Sequence, residues 1–135
     1  MPVADDPEAP PQTPPMIRAI AMPSDANANG DIFGGWLMSN ADIAGAILAY
    51  RRAKGRVVTV AVDSFVFIKP VYVGDLVSFY TDLRKVGNTS CDVDVTMFAE
   101  SDWGGEDVRR VATATMTYVH VNEQHRPTPI PPQKD

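Results

Sequence analysis

The sequence predicts an α+β fold, with one long helix near the start and an antiparallel sheet of five to six strands packed against it. Two observations carry this. A single helical stretch runs from about Gly34 to Ala53, and the later segments alternate apolar and polar residues with period two, as strands with one buried face do. In chain order, Met16 to Met22 reads as a short strand. The turn-rich loop Pro23-Ser24-Asp25-Ala26-Asn27-Ala28-Asn29-Gly30-Asp31 follows it. After the helix, Lys54 and Gly55 supply a basic last turn and a left-handed cap.

Arg56 to Ile68 is a long, almost unbroken apolar run rich in Val and Phe, expected to form a strand covered on both faces. Lys69-Pro70 ends it, and Val73-Gly74-Asp75 turns the chain. Val77, Phe79, Thr81 and Leu83 then oppose Ser78, Asp82 and Arg84. After a turn at Gly87-Asn88, Cys91, Val93, Val95 and Met97 oppose Asp92, Asp94 and Thr96. Between Val108 and Val121, Ala112, Ala114, Met116 and Tyr118 oppose Thr113, Thr115, Thr117 and Val119. The helix residues Ala41, Ala44, Gly45, Ala46 and Ala49 are small, which lets a curved sheet wrap closely around them. Residues 1–15 and 127–135 are proline-rich and expected to be extended or disordered tails, which leaves about 16–126 as the ordered domain.

A chain of 135 residues is one domain with room for a single core, and 44% apolar with 21% charged content is ordinary for a globular protein. A net charge of −5 with no basic stripe argues against a nucleic-acid partner, although local basic residues can still receive a phosphate. The lone Cys91 excludes an intrachain disulfide, falls on the apolar side of its strand and reads as a small buried hydrophobe. No segment reaches the ~20 apolar residues of a membrane span, and no signal peptide is visible, so the expected location is the cytoplasm.

One residue stands against this ordinary background. Asp42 is the only charge between Gly34 and Tyr50, on a helix of otherwise apolar or small residues, and no Lys or Arg lies three or four positions away. Burying an unpaired carboxylate costs several kcal/mol. Asp42 therefore either lies on a narrow solvated stripe or is kept for chemistry.

The run from Asp25 through Gly30-Asp31-Ile32-Phe33-Gly34-Gly35-Trp36-Leu37-Met38, with Asp42 four residues on, strongly resembles the acyl-CoA thioesterases of the hotdog superfamily, closest to the YciA-type branch. The likeness continues through Gly55 to Val62, Phe67 to Val71, Val73-Gly74-Asp75 and Val86 to Ser90, covering roughly 18–122. It implies a hotdog fold, a sheet wrapped around a central helix, and hydrolysis of acyl-CoA to free acid and CoA. No metal or cofactor is implied, CoA being part of the substrate. By the same resemblance Asp42 is the catalytic carboxylate, Asn27 the polar loop residue acting with it, and Gly34 and Gly35 the backbone that receives the thioester carbonyl.

The chemistry is consistent with elementary requirements. Unpaired amides at a helix N-terminus can stabilise an oxyanion, and glycine lets a substrate approach the backbone. Asp42 could act as general base toward water or attack directly to give a mixed anhydride. Asn27 could orient water or carbonyl, or simply form the turn, with Asn29 as second choice. Gly34 and Asp42 are eight positions apart, about 12 Å along one helix at 1.5 Å per residue. If both serve one thioester, they come from different chains of a two-fold dimer. The resemblance suggests three such dimers in a hexamer.

For CoA, Arg56, Val58, Lys69 and the turn Gly87-Asn88-Thr89-Ser90 are the candidates, since cationic side chains and turn amides suit phosphates. Arg84, Lys85, Arg109 and Arg110 read as solvated strand-edge charges. His120 and His125 lie far in sequence from the helix, whereas hotdog dehydratases use a histidine near it, so dehydration is not expected. No HEXXH, CXXC, Walker or Rossmann pattern supports metal, nucleotide or hydride chemistry. The competing class is a non-catalytic acyl-CoA sensor, for which the short proline-rich N-terminus offers no DNA-binding helix-turn-helix. Trp36, Met38 and Phe65 could line either core or an acyl tunnel.

Overall fold

Alternation sets the sheet, and small residues set how closely the helix lies on it. The computed structural model describes residues 9–133. Its elements are β1 (Ile17–Ile20), a short 3-10 turn (Pro23–Asp25), α1 (Gly34–Ala53), β2 (Val57–Phe67), β3 (Leu76–Val86), β4 (Ser90–Glu100) and β5 (Val108–His120). The five strands form one antiparallel sheet in the order β1-β3-β4-β5-β2. This is the α+β hotdog arrangement, with α1 packed on β2 to β5.

The predicted inward faces are buried, and Ser78, expected on the opposite face of its strand, is buried as well. Val77 and Phe79 on β3, Cys91, Val93, Val95 and Met97 on β4, and Ala112, Ala114, Met116 and Tyr118 on β5 make the sheet's half of the core. The helix contributes Leu37, Ala41, Ala44, Gly45, Ala49 and Ala53, all but the first of them small. With so little side chain between backbone and sheet, the core is filled mainly from the strands. Cys91 is buried there, and burial, followed by the charge of Asp92, pushes its thiol pKa up, which keeps it an unreactive packing residue.

Several expectations are corrected. The left-handed residue at the end of α1 is Lys54 (φ 58°), whose amide bonds the Tyr50 carbonyl, and not the neighbouring glycine. Gly55 serves a different purpose, since a Cβ there would lie 2.7 Å from His120 Nε2. The first strand is shorter than the Met16–Met22 run. Arg109 is not a solvated edge charge: it forms an ion pair with Asp75, which is 3% exposed, and lies over the Tyr72 ring. Asp75 also accepts from the Tyr72 amide, so the pair pins the turn that carries Gly74.

The strand expected to be covered on both faces is the largest departure. β2 lies at the sheet edge, and Val58, Val60, Val62, Val66 and Phe67 are all exposed in the single chain. Two register shifts, between Thr59 and Ala61 and between Asp63 and Val66, bend it around α1. A long apolar edge with unpaired backbone groups is a template for another strand.

Residues 1–8 of the expected N-terminal tail lie outside the described residues, while Pro11, Thr13 and Pro14 share a hollow with Tyr80, Asp82 and Asp94 on the sheet. Residues 127–133, the described part of the expected C-terminal tail, do not leave the body. The Thr128 amide bonds the His120 carbonyl, the Ile130 amide bonds the Asn88 carbonyl, and Arg52 donates to the Pro131 carbonyl. The packed body therefore extends past the boundary expected at 126.

Candidate active site

The loop before α1 is shaped by one side chain. Asn27 Oδ1 accepts from the amides of Asn29 (2.8 Å) and Asp31 (3.2 Å), closing an Asx turn. The Asn27 amide bonds the Asp31 carbonyl, and Gly30, at φ 86°, completes the reversal. The oxygen of Asn27 is thus committed to the loop. No hydrogen bond among the described residues takes its side-chain nitrogen, which leaves a donor. Asn29 is exposed and serves that turn through its amide.

The chain then enters α1 at Phe33 without a side-chain cap. The amides of Gly34 and Gly35 have no carbonyl one turn earlier to bind, so the helix start keeps donors and a partial positive charge. Gly34 borders an open groove of about 530 Å³ with Ile32, Leu37, Phe67, Ile68, Lys69, Pro70 and Val71. A Cβ on Gly34 would sit 2.8 Å from the Phe67 ring, whereas one on Gly35 would meet nothing within 4 Å. The space over Gly35 is open to a ligand.

Asp42 lies two turns further along, outside that groove and half-buried against the sheet. Its Oδ1 accepts from Thr59 Oγ1 of β2 (2.7 Å) and from the Tyr118 hydroxyl of β5 (3.1 Å). Tyr118 also donates to the Asp42 backbone carbonyl at 2.8 Å. No hydrogen bond among the described residues reaches Oδ2. One oxygen is anchored and the other is open, the arrangement a carboxylate needs to accept a proton or attack a carbonyl in a fixed direction. Asp42 is therefore neither a stray buried charge nor a purely solvated one.

Sequence reasoning did not single out Thr59 or Tyr118 as partners of Asp42. Thr59 sat inside an apolar run, and Tyr118 counted only as a core position. A signal was present in Gly45, a helix-interior glycine three residues after Asp42, because glycine there weakens a helix unless packing requires it.

The CoA candidates separate into two groups. Val58 pairs with Val119, Ser90 pairs with Val119 from the other side, and the His120 amide bonds the Thr89 carbonyl. Arg56, Val58 and the Gly87–Ser90 turn are thus brought to one end of the sheet. Arg56 there lies 3.1 Å from His125 Nε2. The turn's Gly87 amide is already bound to the Ser90 carbonyl, so that donor is not available to a phosphate. Lys69 lies beyond the far end of β2, roughly 30 Å away for an eleven-residue strand, beside the helix start.

Comparison with known proteins bears on this geometry. The thioesterase superfamily model matches residues 29–103. The acyl-CoA thioester hydrolase YciA of Salmonella typhimurium is 45% identical over 126 residues, which is 91% of this chain and 94% of that protein. A hexameric broad-specificity acyl-coenzyme A thioesterase, solved as an aspartate-to-alanine mutant, superimposes with a TM-score of 0.83 at 45% identity, covering 88% of this chain and 87% of its own. A hexameric thioesterase from Yersinia pestis does so with a TM-score of 0.84 at 44% identity, covering 92% and 100%. With the helix, the sheet order and these likenesses in agreement, the chain belongs to the thioesterase superfamily, in the branch of the YciA acyl-CoA thioester hydrolases.

Proposed function

We propose that this chain hydrolyses acyl-CoA thioesters to free acid and CoA in a site shared between two copies. The observation that carries the reading is Asp42, held by one oxygen and open at the other, two turns from the uncapped amides of its own helix. A thioester carbonyl on Gly34 and Gly35 is about 12 Å along the axis from that acid. A second helix running antiparallel beside the first closes this gap, placing Asp42 of one copy against Asn27, Gly34 and Gly35 of the other.

The unpartnered surfaces support that pairing. Val58, Val60, Val62, Val66 and Phe67 are exposed along the β2 edge, and the helix residues Ile43 and Tyr50, both more than half exposed, share a hollow with Val57 at the start of that strand. Fully burying a large apolar side chain contributes about 1.5–3 kcal/mol, and covering the exposed half of several such side chains offsets part of the cost of association. A two-fold pairing along β2 also carries Lys69 of one copy toward Arg56 of the other, which gathers the two CoA groups at one mouth. Three such dimers would give the hexamer described for the related thioesterases.

In the reaction, one route has Asp42 take a proton from the water that attacks the carbonyl carbon and return it to the CoA thiolate as the C–S bond breaks. In the other, Asp42 itself attacks, CoA leaves, and water then hydrolyses the mixed anhydride to free acid and restores the carboxylate. In both, the Gly34 and Gly35 amides stabilise the oxyanion. CoA enters with the substrate, and the proposal assigns no separate cofactor. A cytoplasmic site of action belongs to the same proposal. The test is release of free thiol from a substrate series running from acetyl- to palmitoyl-CoA, for wild type and Asp42→Ala. Turnover by wild type with loss of at least ~1000-fold in the variant is expected, as for removal of a base or nucleophile. Binding without turnover in wild type would point to a sensor, and full activity of Asp42→Ala would refute the assignment.

A further inference from the structure

Tyr118 sits wholly inside the core, yet its hydroxyl ends on the helix residue that the proposed reaction depends on. We infer that Tyr118 is a positioning residue for Asp42, admitted to the helix by Gly45, and that the two together fix which carboxylate oxygen faces the substrate. This rests on the reading of Asp42 as the acid of the site.

The geometry assigns each part. A phenol has one proton, and here it is shared between the Asp42 carbonyl at 2.8 Å and Oδ1 at 3.1 Å. Backbone and side chain of Asp42 are therefore tied to the same point, which restricts the carboxylate's rotation about its own chain. Thr59 Oγ1 holds Oδ1 from the other side at 2.7 Å. Between them the two donors occupy Oδ1 and leave Oδ2 as the reactive oxygen. Burial first, and then the charge of Asp42 and its hydrogen bond, raise the tyrosine's pKa well above its usual value, so the hydroxyl remains a donor.

Gly45 explains how the contact is possible. A Cβ at that position would lie 2.4 Å from the Tyr118 oxygen and 3.1 Å from Cζ. The oxygen is the tip of a rigid, fully buried ring and lies 3.4 Å from the Met116 sulfur. Any residue other than glycine at 45 displaces the hydroxyl or the helix. The helix keeps a glycine in its interior at the position facing the hydroxyl.

The test uses the full chain and Tyr118→Phe, which retains the ring and its packing. Losing a hydrogen bond to a charged group should lower kcat about 10- to 100-fold, with KM and the inhibition constant of free CoA unchanged within about twofold. Gly45→Ala should lower kcat by a similar factor with Tyr118 intact, but by much less when added to Tyr118→Phe, since both remove the same contact. A Tyr118→Phe protein with wild-type oligomeric mass and undiminished kcat overturns the inference. Equal and multiplicative losses from the two substitutions overturn it too, as that pattern is general damage to the core. If Tyr118→Phe fails to fold, Gly45→Ala alone decides, by a kcat loss at constant KM or by its absence. Asp42→Ala run alongside separates the two ideas: an inactive Asp42→Ala beside a fully active Tyr118→Phe sinks only the role of Tyr118, whereas an active Asp42→Ala sinks the site itself.

Discussion

A shared site makes a quantitative demand on mixed assemblies. Take Asp42→Asn chains and Asn27→Ala chains, each with its own affinity tag, co-expressed in equal amount. If Asp42 acts across the interface on a carbonyl held by the other copy's loop and helix start, a mixed dimer contains one site with both residues intact and one with neither. Random pairing makes about half the dimers mixed, and each has one of two sites working, so activity returns to about a quarter of wild type. With three such dimers assembling at random into a hexamer, nearly every hexamer carries both tags, so purification through both removes the parental assemblies and leaves the figure at about a quarter. The basis is the span from Gly34 to Asp42 on one continuous helix, Gly34–Ala53, about 12 Å where a reacting pair needs roughly 3–3.5 Å. The assay is thiol release on doubly purified protein, with each parent as baseline. Mixed dimers no more active than the parents would refute the sharing, because a site built within one chain is broken in both.

Three further outcomes follow from single contacts. Asn27→Asp keeps an oxygen for the Asn29 and Asp31 amides but replaces the side-chain nitrogen, a donor, with a second oxygen that accepts only and carries negative charge. It should leave the melting temperature within a few degrees of wild type while lowering kcat/KM at least ~10-fold, the worth of one lost donor bond; unchanged kinetics would reduce Asn27 to a turn former. Asp75→Ala leaves the Arg109 charge buried without its partner, at a cost of about 3–5 kcal/mol, and should lower the melting temperature by roughly 10 °C or more. A drop of only a degree or two would mean that the pair contributes little. Val60→Asp changes a side chain that is 55% exposed in the single chain, so the circular dichroism spectrum should persist. An unpaired carboxylate in a covered interface costs several kcal/mol, which weakens a dimer by at least ~100-fold. Sedimentation velocity should show smaller species, and an unaltered mass would place the interface elsewhere.

Much of the candidate site was legible in the residues before any fold was known. Asp42 stood out as a charge without a partner, Gly34 and Gly35 as a helix entry open to ligand, and the eight-residue spacing already separated them. The loop asparagine was legible only in part. Its type suggested a turn, and the turn exists, but only the structure shows that the oxygen is used up there and the nitrogen is what remains. Thr59 and Tyr118 were not legible as partners of Asp42, since the contacts join positions 17 and 76 residues from it. The burial of Arg109 was hidden for the same reason.

What the amino-acid order determined by itself was local: period-two alternation chose the strands and their inward faces, and one continuous small-residue stretch chose the helix. These depend on neighbours two to four positions away, which any reader of the chain can see. Tertiary structure alone decided which strand became the edge. The apolar run that becomes β2 satisfies the pattern of a strand covered on both faces equally well, and only the order β1-β3-β4-β5-β2 leaves it uncovered. The same long-range pairing carried Tyr118 beneath Asp42. Burial and hydrogen-bond partnership are properties of chain segments that meet in space, and short-range sequence pattern does not reveal which segments those are.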